Sequence, residues 1–351
     1  MKYCWVLAFV IAVKANAEDI TPRVGSIEIY GTRKVSAQKI RTAAAIKEGD
    51  PLPSREDVED RINKVPGIVA SRVEASCCSS GNMILYVGVE ERNQPRFEFH
   101  PAPTGTVTLP PELVDAYHTF LDAVSDSIRG KNADEDLTNG YSLMADPECR
   151  RLQQSFIPLV DRDLALLDRV LRESGDSEQR TTAAYLLQYA PRTPRTTKVM
   201  LNALEYALQD PEDTVRQNAM RSLQAVAVGA KLHPEQQIYI EPTWFVELMN
   251  SVVWSDRHNA TLALVNLTDK GDQDAIALIR ERALPSVVEM ARWHNLPDAL
   301  PAFILAGRVA GLTEKEIQDA WISGDREWVL GQAINPKKKR SSTKKQTLAG
   351  S

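Results

Sequence analysis

Three stretches of this chain carry the same residue types at the same offsets. Arg180, Arg216 and Arg257 are each followed three residues on by Ala183, Ala219 and Ala260, and seven residues on by Leu187, Leu223 and Leu264. Ten residues on stand Ala190, Val226 and Leu267, and the arginines are 36 and 41 residues apart. Offsets of three and seven mark one stripe of an α-helix. An amphipathic segment precedes each copy: "DLALLDRVLRE", "KVMLNALEYALQD" and "TWFVELMNSVVWSD". A helix pair recurring at this period cannot bury its apolar face alone, and stacking of successive pairs supplies the core. The recurring residues therefore read as scaffold. The small Ala allows close approach of helices and the Leu fills the seam between pairs. The Arg is expected to satisfy carboxylates or carbonyls at inter-helix turns. A looser fourth copy follows Asp272, where Pro285 interrupts the pattern.

Asp210-Pro211, then Val215-Arg216, Ala219 and Leu223, is similar to the second-helix pattern of HEAT repeats. The resemblance is clearest over residues 161–310 and fades into "TEKEIQDAWISGDREWVLGQAI", which suits a capping helix. It implies an all-α solenoid within a helical domain spanning 111–335, with a concave second-helix face available to partners. No strand is expected after Pro111, and "KNADEDLTNGYSLMADPE" reads as a polar loop. Residues 93–110 hold four prolines and read as an extended linker.

Residues 24–92 follow different rules. "SIEIYG" alternates Ile27 and Ile29 with polar neighbours and stops at Gly31, a short strand and turn. Ser36 caps a helix carrying Ile40, Ala43, Ala44 and Ile46, and "KEGDPLPS" ends it. Ser54 starts a second helix with Val58, Ile62 and Val65 on one face. "IVASRVEA" and "MILYVGVE" are strands joined by the turn residues "SSGN"; the second places Met83, Leu85, Val87 and Val89 on one face. The order strand, helix, helix, strand, strand resembles the POTRA domain of bacterial envelope proteins, in its FtsQ-type version. The matching residues are Ile27, Ile29, Gly31, Val35-Ser36, Ile40, Gly49-Asp50-Pro51-Leu52, Leu85, Val87, Val89 and Glu90. The resemblance implies a non-catalytic module that binds other proteins, often by pairing an extended segment with a sheet edge.

The two ends suggest an address. Lys2, the apolar run Tyr3–Val13 and Ala15-Asn16-Ala17 have the order of a secretory signal over residues 1–17. Its eleven apolar residues fall short of the roughly 20 that span a bilayer. Export to a bacterial periplasm or envelope is the expectation, with no transmembrane segment in the mature chain. Residues 336–351 read as a disordered basic tail. Six positive charges sit in "KKKRSSTKK" at 337–345, a candidate contact with anionic lipid. Setting aside those six and the two signal lysines, the net charge of −5 becomes −13 for residues 18–336. That argues against a nucleic-acid-binding face on this body, which needs clustered Lys and Arg.

Reactive groups are sparse. Cys77, Cys78 and Cys149 are disulfide candidates, the expected bridge running from Cys149 to either neighbour; a Cys77–Cys78 bridge would close a strained eight-membered ring and is the less favoured pairing, and reduced thiols are the alternative. "GYSLM" begins like a nucleophile elbow but lacks its final glycine. The histidines at 100, 118, 233, 258 and 294 have no partner at metal-ligand spacing, so neither metal nor cofactor is expected. Trp244, Phe245, Trp254 and Trp293 suit inter-repeat packing or, alternatively, a peptide-holding groove.

The reading is an α+β chain: a small βααββ domain followed by a helical-repeat solenoid, serving as a protein-binding adaptor without catalysis. The alternatives are a lyase-type enzyme or small-molecule binder on HEAT-like repeats, which would need a reactive Cys or acid in the groove, Cys149 being the only cysteine near the repeats, and a structural spacer with no specific partner.

Overall fold

A computed structural model describes residues 22–336 apart from 80, 95, 131, 133, 139 and 270. The signal-like segment 1–17 and the basic run 337–345 therefore lie outside the described residues.

The first unit comprises β1 (Val24–Tyr30), α1 (Ala37–Ala44), α2 (Arg55–Asn63), β2 (Ile68–Ser79) and β3 (Asn82–Glu91). The hydroxyls of Ser36 and Ser54 accept from the N–H of Lys39 and Asp57 and so start the two helices. β3 lies between β1, which runs parallel to it, and β2, which runs antiparallel. β2 reaches four residues beyond "IVASRVEA", its last pair being Ser79 with Asn82 across a turn at Gly81. One face of the sheet, with Ile27, Val73, Leu85, Val87 and Val89, packs on Ile40, Ala44, Val58 and Ile62 of α1 and α2.

Then come α3 (Pro111–Arg129), α4 (Pro147–Glu173), α5 (Ser177–Leu186), α6 (Pro194–Ala207), α7 (Asp213–Leu232), α8 (Thr243–Leu248) and α9 (Trp254–Leu267). After them run α10 (Gln273–Arg282), α11 (Leu284–Met290), α12 (Leu296–Val309), α13 (Glu314–Ser323) and α14 (Arg326–Ile334). The pairs α4/α5, α6/α7 and α8/α9 are the three copies read in the sequence. Their second helices α5, α7 and α9 stack in order and α12 continues the row; α4 packs on α6, and α8 on α10. The looser fourth copy is a helix pair whose first member Pro285 divides into α10 and α11. Ala302 and Ala306 of α12 occupy the offsets of the recurring Ala and Leu, and the buried Ala299 stands where the arginine would. α13 and α14 close the end by packing on α12.

One expectation is corrected. The polar loop after α3 contains a two-residue ladder, β4 (Glu135–Asp136) with β5 (Leu143–Met144). It holds because Met144 N–H donates to the buried Gln153 Oε1 at 2.7 Å, and Arg150 donates to the Met144 carbonyl. The proline-rich segment after β3 has no regular structure and is laid along the repeats. His100 N–H donates to the Gln209 carbonyl at 2.7 Å, and Gly105 N–H to the Glu173 carbonyl at 2.9 Å. Gly105 also accepts from Gly175 N–H, and Leu109 N–H donates to Gln179 Oε1. A Cβ on Gly105 would lie 2.4 Å from the Glu173 carbonyl oxygen, so only glycine allows this approach.

Candidate interaction surface

The arginines of the repeat form a buried row along the turns within each helix pair. Arg180 holds Asp210 with two hydrogen bonds of 2.7 and 2.9 Å, and Arg216 holds Asp256 in the same bidentate way. Arg257 reaches Glu289 at 3.1 Å. Every carboxylate belongs to the following helix pair, so the row stitches pair to pair. Each guanidinium also donates to the carbonyl six residues upstream, at Ser174, Asp210 and Ser251 respectively. Carboxylate and turn carbonyl are both satisfied. Arg216 and Asp256 are almost wholly buried, so losing either alone would strand a charge in the core, a cost of about 3–5 kcal/mol.

The second face of the sheet seats on this row of turns. Successive strand residues alternate sides, so Glu28, Tyr30, Arg72, Glu74, Ile84, Tyr86 and Gly88 point away from α1 and α2. Tyr30 lies under the Arg257 guanidinium, 4.5 Å from its ring centre, and its hydroxyl donates to the Val252 carbonyl at 2.8 Å. Tyr86 stacks on Trp254 with centroids 4.4 Å apart and packs against Trp293 at 5.2 Å. The aromatic residues read as inter-repeat packing or a peptide groove thus serve a third purpose: Trp254 and Trp293 hold the chain's own sheet. Trp244 packs on Phe97, and Phe99 lies beneath Arg216.

Carboxylates of the sheet reach the amino ends of the second helices. Glu74 accepts from Trp254 N–H at 2.6 Å and from Ser255 N–H, capping α9, whose own cap position is Val253 and carries no acceptor. Glu28 accepts from His294 N–H at 2.6 Å ahead of α12. Such ends carry unpaired N–H groups and a positive dipole, so an anion there is stabilised. Arg72 pairs with Asp213 in the first turn of α7. Glu289, beneath Arg257, accepts Gly31 N–H at 3.0 Å and lies near Arg33. Close approach depends on Gly88, where a Cβ would lie 2.1 Å from the Val252 carbonyl oxygen.

The two edges of the sheet differ. β1 is closed by a bridge from Arg23 to Pro51, by Arg41 on the Ile27 carbonyl and by Glu289 on Gly31 N–H. Along β2, Glu59 accepts from Val73 N–H at 2.7 Å, and by alternation Ala75 N–H faces outward on the same side. The strand then runs on beyond α2, with Ser76 half-buried and Cys77 exposed.

The expected second-helix surface is partly taken by the chain itself. Tyr117 of α3 packs on Tyr185 of α5 and accepts from Asn218 of α7, and Glu135 of β4 pairs with Arg221. On α9 and α12 the same face remains half-exposed at Asn259, Leu262, Asn266, Pro301 and Ile304.

The bridge expected from Cys149 is not formed. Cys77 is disulfide-bonded, whereas Cys149 is a free, fully buried thiol at the start of α4. Burial, with the Asp146 charge adding to it, pushes this thiol up to about 11, which leaves it un-ionised near neutral pH. Ser142, within "GYSLM", is buried, with its carbonyl held by Gln153 and Tyr189. His258 and His294 lie against Asp298 and Glu28 at the seam between sheet and repeats. Among the described residues no cluster of His, Cys, Asp and Glu could hold a metal ion.

No family model matches the chain, and no curated protein does. Among solved structures, a designed armadillo repeat protein in complex with the peptide (KR)4 aligns at TM-score 0.37 and 13% identity, covering 65% of this chain and 93% of that one. Computationally designed armadillo repeat proteins for modular peptide recognition align at 0.37 and 14%, covering 64% and 98%. An engineered protein aligns at 0.35 and 18%, covering 54% and 90%. Similarity at this level carries no information on function.

Proposed function

We propose that the protein is a non-catalytic binding scaffold exported to a bacterial cell envelope, in which a POTRA-like sheet unit is joined to HEAT-type repeats. In this reading an extended segment of a partner protein adds to the sheet along the outer edge of β2. The observation that carries it is that β2 is a 12-residue edge strand running past α2 to an exposed end. An edge strand offers N–H and C=O groups to another chain, here at Ala75 beyond Val73, whose N–H is held by Glu59, and the opposite edge at β1 is closed. The half-exposed face of α9 and α12 supplies a second, smaller surface. The buried Cys149, with its raised pKa, does not support the enzyme reading in which a reactive cysteine carries the chemistry.

Cross-linking in the native cell with mass spectrometry tests this, comparing the unaltered protein with Ala75→Pro. Proline removes an outward N–H and is tolerated on edge strands, so the fold is retained. The expected outcome is a defined protein partner that Ala75→Pro loses. A partner captured equally by both forms would move the surface elsewhere. No partner above background would sink the scaffold reading.

A further inference from the structure

Where α3 lies against α5 and α7, the side chains leave a cavity of about 50 Å3. Its walls are apolar, with Phe120, Leu121 and Val124 of α3, Met144 of β5 and the Tyr185 ring. The Tyr117 hydroxyl, the Asn218 carboxamide and the Arg221 guanidinium supply its polar groups. Leu121, Asn218 and Arg221 are half-buried and the rest buried, so these three mark its mouth.

The polar groups have capacity left. Arg221 Nε is buried and, among the described residues, has no acceptor. A buried N–H left unmatched is costly, so a group that meets it is stabilised there. Asn218 donates to the Thr181 carbonyl at 3.0 Å, which fixes the way its carboxamide points and leaves Oδ1 able to accept. Tyr117 accepts from Asn218 and keeps its own proton to donate. The charge is already balanced, because Arg221 pairs with Glu135. A carboxylate brought in beside that pair would be buried without a cation of its own, whereas a neutral group would not.

We propose that this cavity takes the carboxamide end of a glutamine side chain from a partner protein. A carboxamide oxygen has two lone pairs, which suit Arg221 Nε–H and the Tyr117 hydroxyl, and its N–H groups suit Asn218 Oδ1. The size agrees. At roughly 10–15 Å3 for each water-sized group the cavity holds about four non-hydrogen atoms, as many as Cγ, Cδ, Oε1 and Nε2 of glutamine. Phe120, Val124 and Met144 cover the methylene. The further methylene that glutamine has over asparagine keeps the partner's main chain outside the mouth. A side chain set into a desolvated pocket is the kind of contact that dominates an interface. The inference rests on the scaffold reading and adds an anchoring point on the second helices, distinct from the edge of β2.

The test titrates N-acetyl-glutamine N-methylamide into the protein carrying isotope-labelled methionine methyl groups, with the Met144 resonance assigned through Met144→Leu. A saturable shift of Met144 is expected. The glutamate counterpart should bind about tenfold more weakly, since its charge has no cation to meet. Leu121→Phe fills the mouth and should abolish the shift while the thermal midpoint holds or rises. If that variant does not fold, Val124→Ile narrows the cavity by a single methyl group and should weaken binding. The proposal is overturned by an unmoved Met144, by equal affinity for the glutamine and glutamate probes, or by binding that the filled variants leave intact. The probe is too short to pair with β2, so its failure leaves the strand-edge reading untouched.

Discussion

Glu74 and His258 meet the same seam with opposite titrations. Burial pushes the Glu74 carboxyl up to about 7, against the hydrogen bonds from Ser255 and Trp254, and the Asp256 charge adds to the rise. The folded protein therefore holds that proton more tightly than the unfolded chain, and stability from this group falls as pH rises from the ordinary carboxylate range to about 7. Burial lowers the His258 pKa, opposed by Asp298, so its contribution falls as pH drops below the ordinary imidazole value. Thermal midpoints across this range should separate the two. Relative to the unaltered protein, Glu74→Gln gains stability as pH rises, whereas His258→Gln gains as pH falls. Parallel slopes for the two variants would mean that neither group titrates at the seam. The kind of partner each repeat arginine needs is readable from the sequence. Which carboxylate answers it is not, because Arg216 and Asp256 lie 40 residues apart and meet only when helix pairs stack. Val253 is a readable clue: a helix cap without an acceptor asks for one from elsewhere.

Most elements could be placed from local signals. Ser36, Ser54, Asp146, Asp176, Thr193, Asp272, Asn295 and Thr313 each cap the helix that follows, through hydrogen bonds formed within a few residues. β3 shows where an element outgrows its pattern. Met83, Leu85, Val87 and Val89 were enough to give it one apolar face, yet Ile84 and Tyr86 between them are also buried. A run apolar at nearly every position belongs to a strand covered on both sides. Gly88 then reads as the point where another backbone comes close. Gly88→Ala should unseat the sheet from the repeats while leaving its own core with α1 and α2 intact. Limited proteolysis between residues 93 and 110 is expected to accelerate, with tryptophan emission shifting as Trp254 and Trp293 lose Tyr86. Unchanged cleavage and emission would show that the turn at Val252 can yield.

On the scale of the molecule, one apolar core runs from Tyr30, Ile84 and Tyr86 through the stacked helices to Leu330 and Ala333. Sheet and repeats should therefore unfold together, with far-UV circular dichroism and tryptophan fluorescence giving coincident thermal transitions. Two separated transitions would mark the seam as weak. Removing residues 24–92 would uncover Trp254, Trp293 and the amino ends of α9 and α12, so point variants at the seam are the cleaner probe.

By itself the sequence determined the α+β composition, the order of elements in the first unit and the recurrence of helix pairs. These rest on periodicity and capping, which act over one or two helical turns. The seat of the sheet, the course of residues 97–109 along the turns and the closure of one sheet edge were decided by tertiary structure alone. The seat of the sheet depends on hydrogen bonds joining residues as far apart as Glu74 and Trp254 or Glu28 and Asn295, and the course of 97–109 on bonds such as His100 to Gln209. No local pattern encodes such a pairing. It forms because burying those carboxylates is tolerable only where a helix end offers them N–H groups.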